Sequence, residues 1–191
     1  MTEASFKPEG YLRFDLSQGL VSTPDKRRHF IVPAEIINAA GTYASLEEAA
    51  RKWGQEQGAA LVTLAGKDVL DRAPEQFIAE LAHLMATLGW GWCELESWGG
   101  VLFVVVHQGP RGAGNKILSA FLGGVFSAAA GQRFECVGID DGTARRFLLT
   151  GPEHASRIQG WVDAGAACGE VVSRMHAGDH LGAAQATTGG A

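Results

Sequence analysis

The fold is decided by one stretch, Glu80–Pro110, which reads ELAHLMATLGWGWCELESWGGVLFVVVHQGP. Its first part belongs to an amphipathic helix, because large apolar residues recur in steps of three and four from Phe77 to Leu88. Gly89 follows where a left-handed residue ends a helix well. Two apolar strand-like runs then meet at the Gly99–Gly100 pair, which is a hairpin signal. The stretch therefore predicts a helix that turns directly into a β-hairpin.

The flanking sequence repeats this pattern. A helix is predicted over residues 46–64, where Gly54 and Gly58 share one face and predict a close helix crossing. A second helix, NKILSAFLGGVFSAAAGQ, is apolar nearly all round and should be buried on more than one side. A second hairpin, RFECVGID and ARRFLLT, and a last helix from Pro152 to Met175 complete the order. We expect an α+β fold, an antiparallel sheet with helices packed on one face.

The expected organisation is a single domain that assembles into a homo-oligomer. Residues 1–10 are polar and predict a flexible N-terminal segment, residues 11–178 the domain, and residues 179–191 a disordered tail of low complexity. The second, nearly all-apolar helix and the glycine-bearing helix 46–64 need more partners than one small domain is expected to supply. A homo-oligomer would supply those partners.

Composition excludes some partners and locations. The formal net charge of -5 argues against a nucleic-acid surface, which needs clustered Lys and Arg. The three cysteines are widely spaced and favour reduced thiols. No secretory signal and no apolar run long enough for a membrane span are visible, so we expect a cytoplasmic protein.

Three groups of residues are candidates for chemistry, and each also has a structural interpretation. The glycine-rich run Gly109–Lys116 lacks the ending of a phosphate-binding loop. His176, Asp179 and His180 have metal-ligand spacing but lie beside the expected tail. Cys93 with His83 or His107 is the candidate thiol and base pair, although a small buried cysteine is the commoner use. We expect no catalytic residue, no cofactor and no metal.

The tryptophans give a different signal. Trp90 and Trp92 stand two apart in the expected strand, which would direct both to one face, with Trp98 near the turn. Stacked indoles suit sugar rings, but packing in a core or an oligomer interface is more common. Both interpretations stay open on the residues alone.

The helix ending ELAHLMATLGWG, the strands CELE and VHQGP, and the helix ILSAFLGGVFSAAAG together resemble the bacterial cellulose synthase D-subunit family. The resemblance covers roughly residues 75–140, with looser similarity over VPAEIINAAG and AARKWGQEQGAAL. It implies a non-enzymatic α/β accessory component whose dimers build a ring-like octamer. That assembly works with the other cellulose synthase subunits and helps to arrange or export nascent glucan chains.

The resemblance also implies a position for glucan, on a surface that involves the N-terminal segment. Phe6 and Tyr11 therefore join Trp90, Trp92 and Trp98 as candidate glucan or interface contacts. A cytoplasmic protein would then be associated with the envelope complex that secretes cellulose. The alternative is a small-molecule-binding domain of the vinyl-4-reductase-like type, with a broadly similar helix–hairpin–helix order and Cys93 or His107 near its ligand.

Overall fold

A computed structural model describes most of the chain. Phe6, Tyr11 and the expected flexible segment 1–10 lie outside the described residues. The described residues are 12–23, 26–33, 36, 43–65, 74–110, 114–140 and 145–185.

Within these residues there are seven strands and five helices. In chain order they are β1 (Arg13–Asp15), β2 (Leu20–Ser22), β3 (Arg28–His29), α1 (Tyr43–Ala65), α2 (Pro74–Thr87), β4 (Trp92–Trp98), β5 (Val101–His107), α3 (Gly114–Ala130), β6 (Glu135–Asp140), β7 (Arg145–Thr150), α4 (Pro152–Asp163) and α5 (Cys168–Gln185).

The main sheet is antiparallel with the strand order β4-β5-β7-β6. The two predicted hairpins lie side by side because β5 pairs with β7, with Val104 opposite Phe147. The helix–hairpin–helix–hairpin order predicted from the sequence is confirmed, and so is the α+β class.

Helices cover both faces of this sheet, so the expectation of helices on one face only was wrong. Phe121 of α3 and Phe77 of α2 pack on the first face, whereas Ile158 of α4 and Val171 of α5 pack on the second. The reason is visible in β5, whose VLFVVV run is apolar at both parities of the strand. Strands buried on both faces have continuous apolar runs.

The helix α1 lies across α3 at very short range, as the glycine spacing predicted. A Cβ on Gly54 would lie 2.1 Å from the carbonyl oxygen of Phe121, and one on Gly58 would lie 2.4 Å from that of Val125. Gly124 of α3 makes the reciprocal contact, since a Cβ there would lie 2.1 Å from the carbonyl oxygen of Arg51 in α1. The chain thus buries α3 by itself, and the apolar circumference of α3 does not require an oligomer.

The last helical region is two helices, not the one predicted from Pro152. The backbone breaks between Asp163 and Cys168, where Gly165 has a φ of +90°. The break lets α4 and α5 pack together in one apolar cluster on the second face. The domain boundary expected at residue 178 falls inside α5, which continues to Gln185.

A second, smaller antiparallel sheet has the order β1-β2-β3. Its strands are only two or three residues long, and Val21 in the middle strand is fully buried. Phe14 on β1 is 51% exposed, so the sheet reaches from the body of the domain into solvent.

Candidate functional site

Backbone hydrogen bonds define the corner between α2 and β4. Gly89 has a φ of +73°, and its N–H donates to Ala86 O at 3.0 Å. The N–H of Trp90 donates to Met85 O at 2.9 Å. These two bonds form a Schellman motif, which satisfies carbonyls that the helix end leaves free. The predicted role of Gly89 as the helix cap is confirmed.

The two tryptophans of the corner do not share a face, contrary to the prediction. Trp90 is 2% exposed and packs edge-on against Trp53, with ring centroids 5.3 Å apart. Trp92 is half-buried and stacks on His107, with centroids 4.1 Å apart. The alternation failed because β4 begins only at Trp92, and Gly91 before it has a φ of +90°. Trp90 is therefore a core residue.

The corner also contacts the three-stranded sheet β1-β2-β3, and the sequence did not predict this contact. The N–H of Gly91 donates to Gly19 O at 3.0 Å, and a Cβ on Gly19 would lie 2.1 Å from the Gly91 carbonyl carbon. A Cβ on Gly89 would lie 2.6 Å from the carbonyl oxygen of His29. Three glycines thus allow two backbones to touch. The Gly-x-Gly spacing was the available signal, but nothing in the sequence named its partner.

Arg28 fastens the third strand to the same corner. Its guanidinium donates to the carbonyl oxygens of Gly89, at 3.3 Å, and of Gln108. The same group lies 4.9 Å from the ring centroid of Phe30. One step further along the chain, the N–H of Ile31 donates to Leu88 O at 2.9 Å.

The second face of β4 carries a strip of aromatic and charged side chains. Trp92, Glu94, Glu96 and Trp98 alternate onto this face. We call this set, with His107 and Arg146, the β4 strip. The two tryptophans are six positions apart, which corresponds to about 20 Å along the strand.

The β4 strip is internally paired. His107 Nε2 lies 2.8 Å from Glu94 Oε1, and Arg146 Nε donates to Glu96 Oε2 at 3.0 Å. The Arg146 guanidinium also lies 4.9 Å from the ring centroid of Trp98. These contacts orient the side chains next to Trp92 and Trp98 on β4, which is an edge strand. The side chains of Glu94 and His107 are 46% and 29% exposed, so this end of the strip faces solvent. At the other end, the side chain of Arg146 is 14% exposed and Trp98 packs on the apolar cluster of the second face.

Cys93 does not form a reactive pair with His107. Adjacent strand positions point to opposite faces, and Cys93 pairs with Val106 while His107 pairs with Trp92. Burial, with the nearby charge of Glu94, raises the pKa of the Cys93 thiol to about 12. The other histidine of the candidate group, His83, is exposed on α2. The structure thus separates the residues of this candidate and favours the inert, buried cysteine.

The other two candidates are only partly described. Residues 111–113 of the glycine-rich run, and the side chains of Asp179 and His180, lie outside the described residues. His176 is exposed on α5. Across the described part of the chain, no group of three His, Cys, Asp or Glu side chains could hold a metal ion.

The sequence predicted no membrane-spanning segment, and the helices of the described ranges can be compared with that prediction. None of them is both long and apolar enough to cross a bilayer.

An apolar cleft of about 490 Å³ opens beside the β4–β5 turn. It lies between the start of α2, the end of α3 and the first face of the sheet. Leu95 and Leu102 in its wall are 36% and 43% exposed, which is unusual for large apolar side chains of this domain. We call it the hairpin cleft, and its lining includes Ile78, Leu95, Leu102, Phe126, Leu149 and His176.

Compared with models of known protein families and with curated proteins, the chain matches none.

Proposed function

We propose that this protein is a non-catalytic structural subunit of a bacterial cellulose synthesis and secretion machinery. It associates with itself and with other subunits of that machinery, and it helps to organise or export nascent glucan chains. It acts in the cytoplasm, next to the envelope complex that secretes the polymer.

The resemblance around the LGWG corner suggests this role, and the β4 strip is the observation that carries it. Trp92, stacked on His107, and Trp98, beside the Arg146 guanidinium, place two half-buried indoles along one extended strand at a spacing of about 20 Å. Glu94 and His107, which are the more exposed charged or polar side chains of the strip, supply an acceptor and a donor for sugar hydroxyls. An extended polysaccharide presents apolar ring faces and hydroxyl edges in the same alternation, so the strip suits a chain better than a single sugar.

Among the tryptophans predicted as glucan contacts, the proposal keeps Trp92 and Trp98. Trp90 is removed from the set because it is buried between Trp53 and Phe121. Phe6 and Tyr11 lie outside the described residues and stay a prediction from the resemblance.

Binding of a soluble cello-oligosaccharide, followed by calorimetry, tests the glucan part of the proposal. Trp92→Ala and Trp98→Ala should each weaken binding about tenfold, since loss of one stacked ring costs on the order of 1–2 kcal/mol. Trp161→Ala is the matched control, because Trp161 is a half-buried indole on α4, outside the strip. Equal binding by all three variants and the parent protein would remove the strip as a glucan surface.

Two further measurements test the assembly and the biological role. Light scattering should show an oligomer at micromolar concentration, and deletion in a cellulose-producing cell should reduce crystalline cellulose. A stable monomer would contradict the structural-subunit role, and an unchanged cellulose yield would contradict the assignment to this machinery.

A second candidate function is a small-molecule-binding domain of the vinyl-4-reductase-like type, and the hairpin cleft favours it. Its volume falls within the range of about 300–1,000 Å³ that ligand pockets occupy, and its lining is mainly apolar with His176 as a polar group. The fluorescent probe anilinonaphthalene sulfonate should bind the native protein, and Leu102→Trp should block that binding by filling the cleft. Absence of probe binding to the native protein would count against this candidate.

A further inference from the structure

The segment Leu12–Leu16 reads LRFDL, and this sequence is complementary to itself in the antiparallel direction. If two copies run antiparallel with Phe14 opposite Phe14, Leu12 lies opposite Leu16 and Arg13 lies opposite Asp15. The apolar residues then occupy one face of the paired strands and the charged residues the other.

The structure places this segment at a sheet edge. β1 pairs with β2 on one side, and no other described strand pairs with it. Its outer edge presents backbone groups of the kind that recruit a further strand. Phe14 is 51% exposed and Leu16 is 55% exposed, although Val21 directly opposite Phe14 is fully buried.

We propose that β1 is a homodimerisation strand, which pairs antiparallel with β1 of a second copy about a two-fold axis beside Phe14. The two three-stranded sheets become one six-stranded sheet with the order β3-β2-β1-β1-β2-β3. This inference gives an interface to the self-association in the proposed function and rests on that part of it.

The charges select this register over its neighbours. A shift of two residues in either direction sets Arg13 opposite Arg13 or Asp15 opposite Asp15, and like charges directly opposite destabilise a strand pair. A shift of one residue sets the apolar side chains opposite the charged ones and mixes the faces. Only the register centred on Phe14 joins opposite charges and apolar pairs at once.

The carboxylate of Asp15 is held in place for this role. It accepts hydrogen bonds from Ser17 Oγ at 2.6 Å and from the Gln18 N–H at 3.1 Å, which lower the pKa of Asp15. The carboxylate is therefore charged across the neutral range and retains lone pairs that face solvent.

Disulfide trapping tests the interface in the full-length protein. Under mild oxidation, Phe14→Cys should form a covalent dimer, because residues directly opposite have Cβ atoms within reach of a disulfide. Arg13→Cys is the matched control one residue away. Its two copies would be diagonal neighbours about 7–8 Å apart, so it should cross-link about tenfold more slowly. The native thiols of Cys93, Cys136 and Cys168 are buried and should contribute little.

A charge reversal provides the second readout. Arg13→Glu in the Phe14→Cys background would set the new carboxylate opposite that of Asp15 in the second copy. This like-charge pair should slow cross-linking several-fold, and high salt should reduce the difference. Circular dichroism confirms that each variant is folded.

The outcomes separate the interface from the proposed function. Equal cross-linking of the two cysteine variants, or no effect of the charge reversal, overturns the β1 interface. No cross-linking by Phe14→Cys when light scattering shows the parent protein to be oligomeric also overturns it, while the structural-subunit proposal stands. A monomeric parent protein overturns both.

Discussion

The two sheets of this protein are stabilised in different ways. The four-stranded sheet has strands of six or seven residues and is covered by helices on both faces. The three-stranded sheet has strands of two or three residues and leaves Phe14 half exposed. Hydrophobic burial stabilises the first, whereas backbone contact at Gly19 and Gly91, with the Arg28 side chain, positions the second. Substitutions in the two sheets should therefore differ in how much unfolding free energy they cost and in how much of the structure they loosen.

The largest effect is expected at the helix crossing that covers the four-stranded sheet. Gly54→Ala should reduce the free energy of unfolding by about 3 kcal/mol, because the new methyl group meets the Phe121 carbonyl and forces α1 away from α3. Thermal unfolding followed by circular dichroism should show a melting temperature about 10 °C lower.

The same substitution at Gly160 is the control. Gly160 lies inside α4, and a Cβ there has no neighbour within 4 Å. Gly160→Ala should therefore stabilise the protein by about 0.5–1 kcal/mol, the usual gain in a helix interior. Equal effects at the two positions would mean that the crossing is looser than described.

The next effect should be confined to the small sheet. Gly19→Ala adds a methyl group against the Gly91 backbone at a φ of +62°, so it should undock the β1–β2 hairpin at a cost of about 2–3 kcal/mol. Hydrogen exchange should become faster in β1 to β3 while β4 to β7 stay protected.

Gly100→Ala separates steric contact from backbone strain. Gly100 has a φ of +87° in the β4–β5 turn, but a Cβ there meets nothing within 4 Å. Gly100→Ala should cost only the backbone strain, about 1 kcal/mol.

For Gly19→Ala, faster hydrogen exchange in β4 to β7 as well as in β1 to β3 would contradict the independence of the two sheets.

A smaller effect is expected at Arg28. Arg28→Met keeps much of the apolar stem but removes the donors to Gly89 and Gln108, and should loosen β3 at a cost of about 1 kcal/mol. Lys52→Met, on the exposed side of α1, is the control and should be nearly neutral. Hydrogen exchange at Ile31, whose N–H donates to Leu88, reports the loosening directly.

The contrast between the sheets also explains what the sequence could predict. The main sheet and its helices were predictable because periodicity records which side of an element is buried, and Gly54 and Gly58 marked the crossing. The continuous VLFVVV run of β5 indicates that helices cover both faces of the main sheet. The order of hairpins and helices alone favoured helices on one face. The break at Gly165 was missed because the residues around it have no periodicity that separates one helix from two.

The candidate site was less predictable. Alternation could not assign Trp90, because one positive φ at Gly91 moves it out of the strand pattern. The docking of Gly19 on Gly91 joins backbones 72 positions apart in the sequence, and backbone contacts leave no side-chain signature. By contrast, Glu94, Glu96 and Trp98 alternate regularly, so the β4 strip was available from the sequence once the start of β4 was known.

The last effect is confined to alkaline pH and concerns the buried thiol of the main sheet. The pKa of Cys93 is raised by burial from 9.0 to about 12, so between these values the thiol ionises in the unfolded chain before it does in the folded one. The contribution of Cys93 to stability is therefore complete below about pH 9 and is lost as the pH rises toward 12, at up to about 1.4 kcal/mol per pH unit. Urea unfolding at a series of alkaline pH values should give a shallower decline for Cys93→Ala than for the parent protein. Ala59→Cys, at an exposed position of α1, should leave the slope unchanged, because its thiol should titrate alike in both states. Parallel curves for Cys93→Ala and the parent protein would mean that the first face of the main sheet is open to solvent at Cys93.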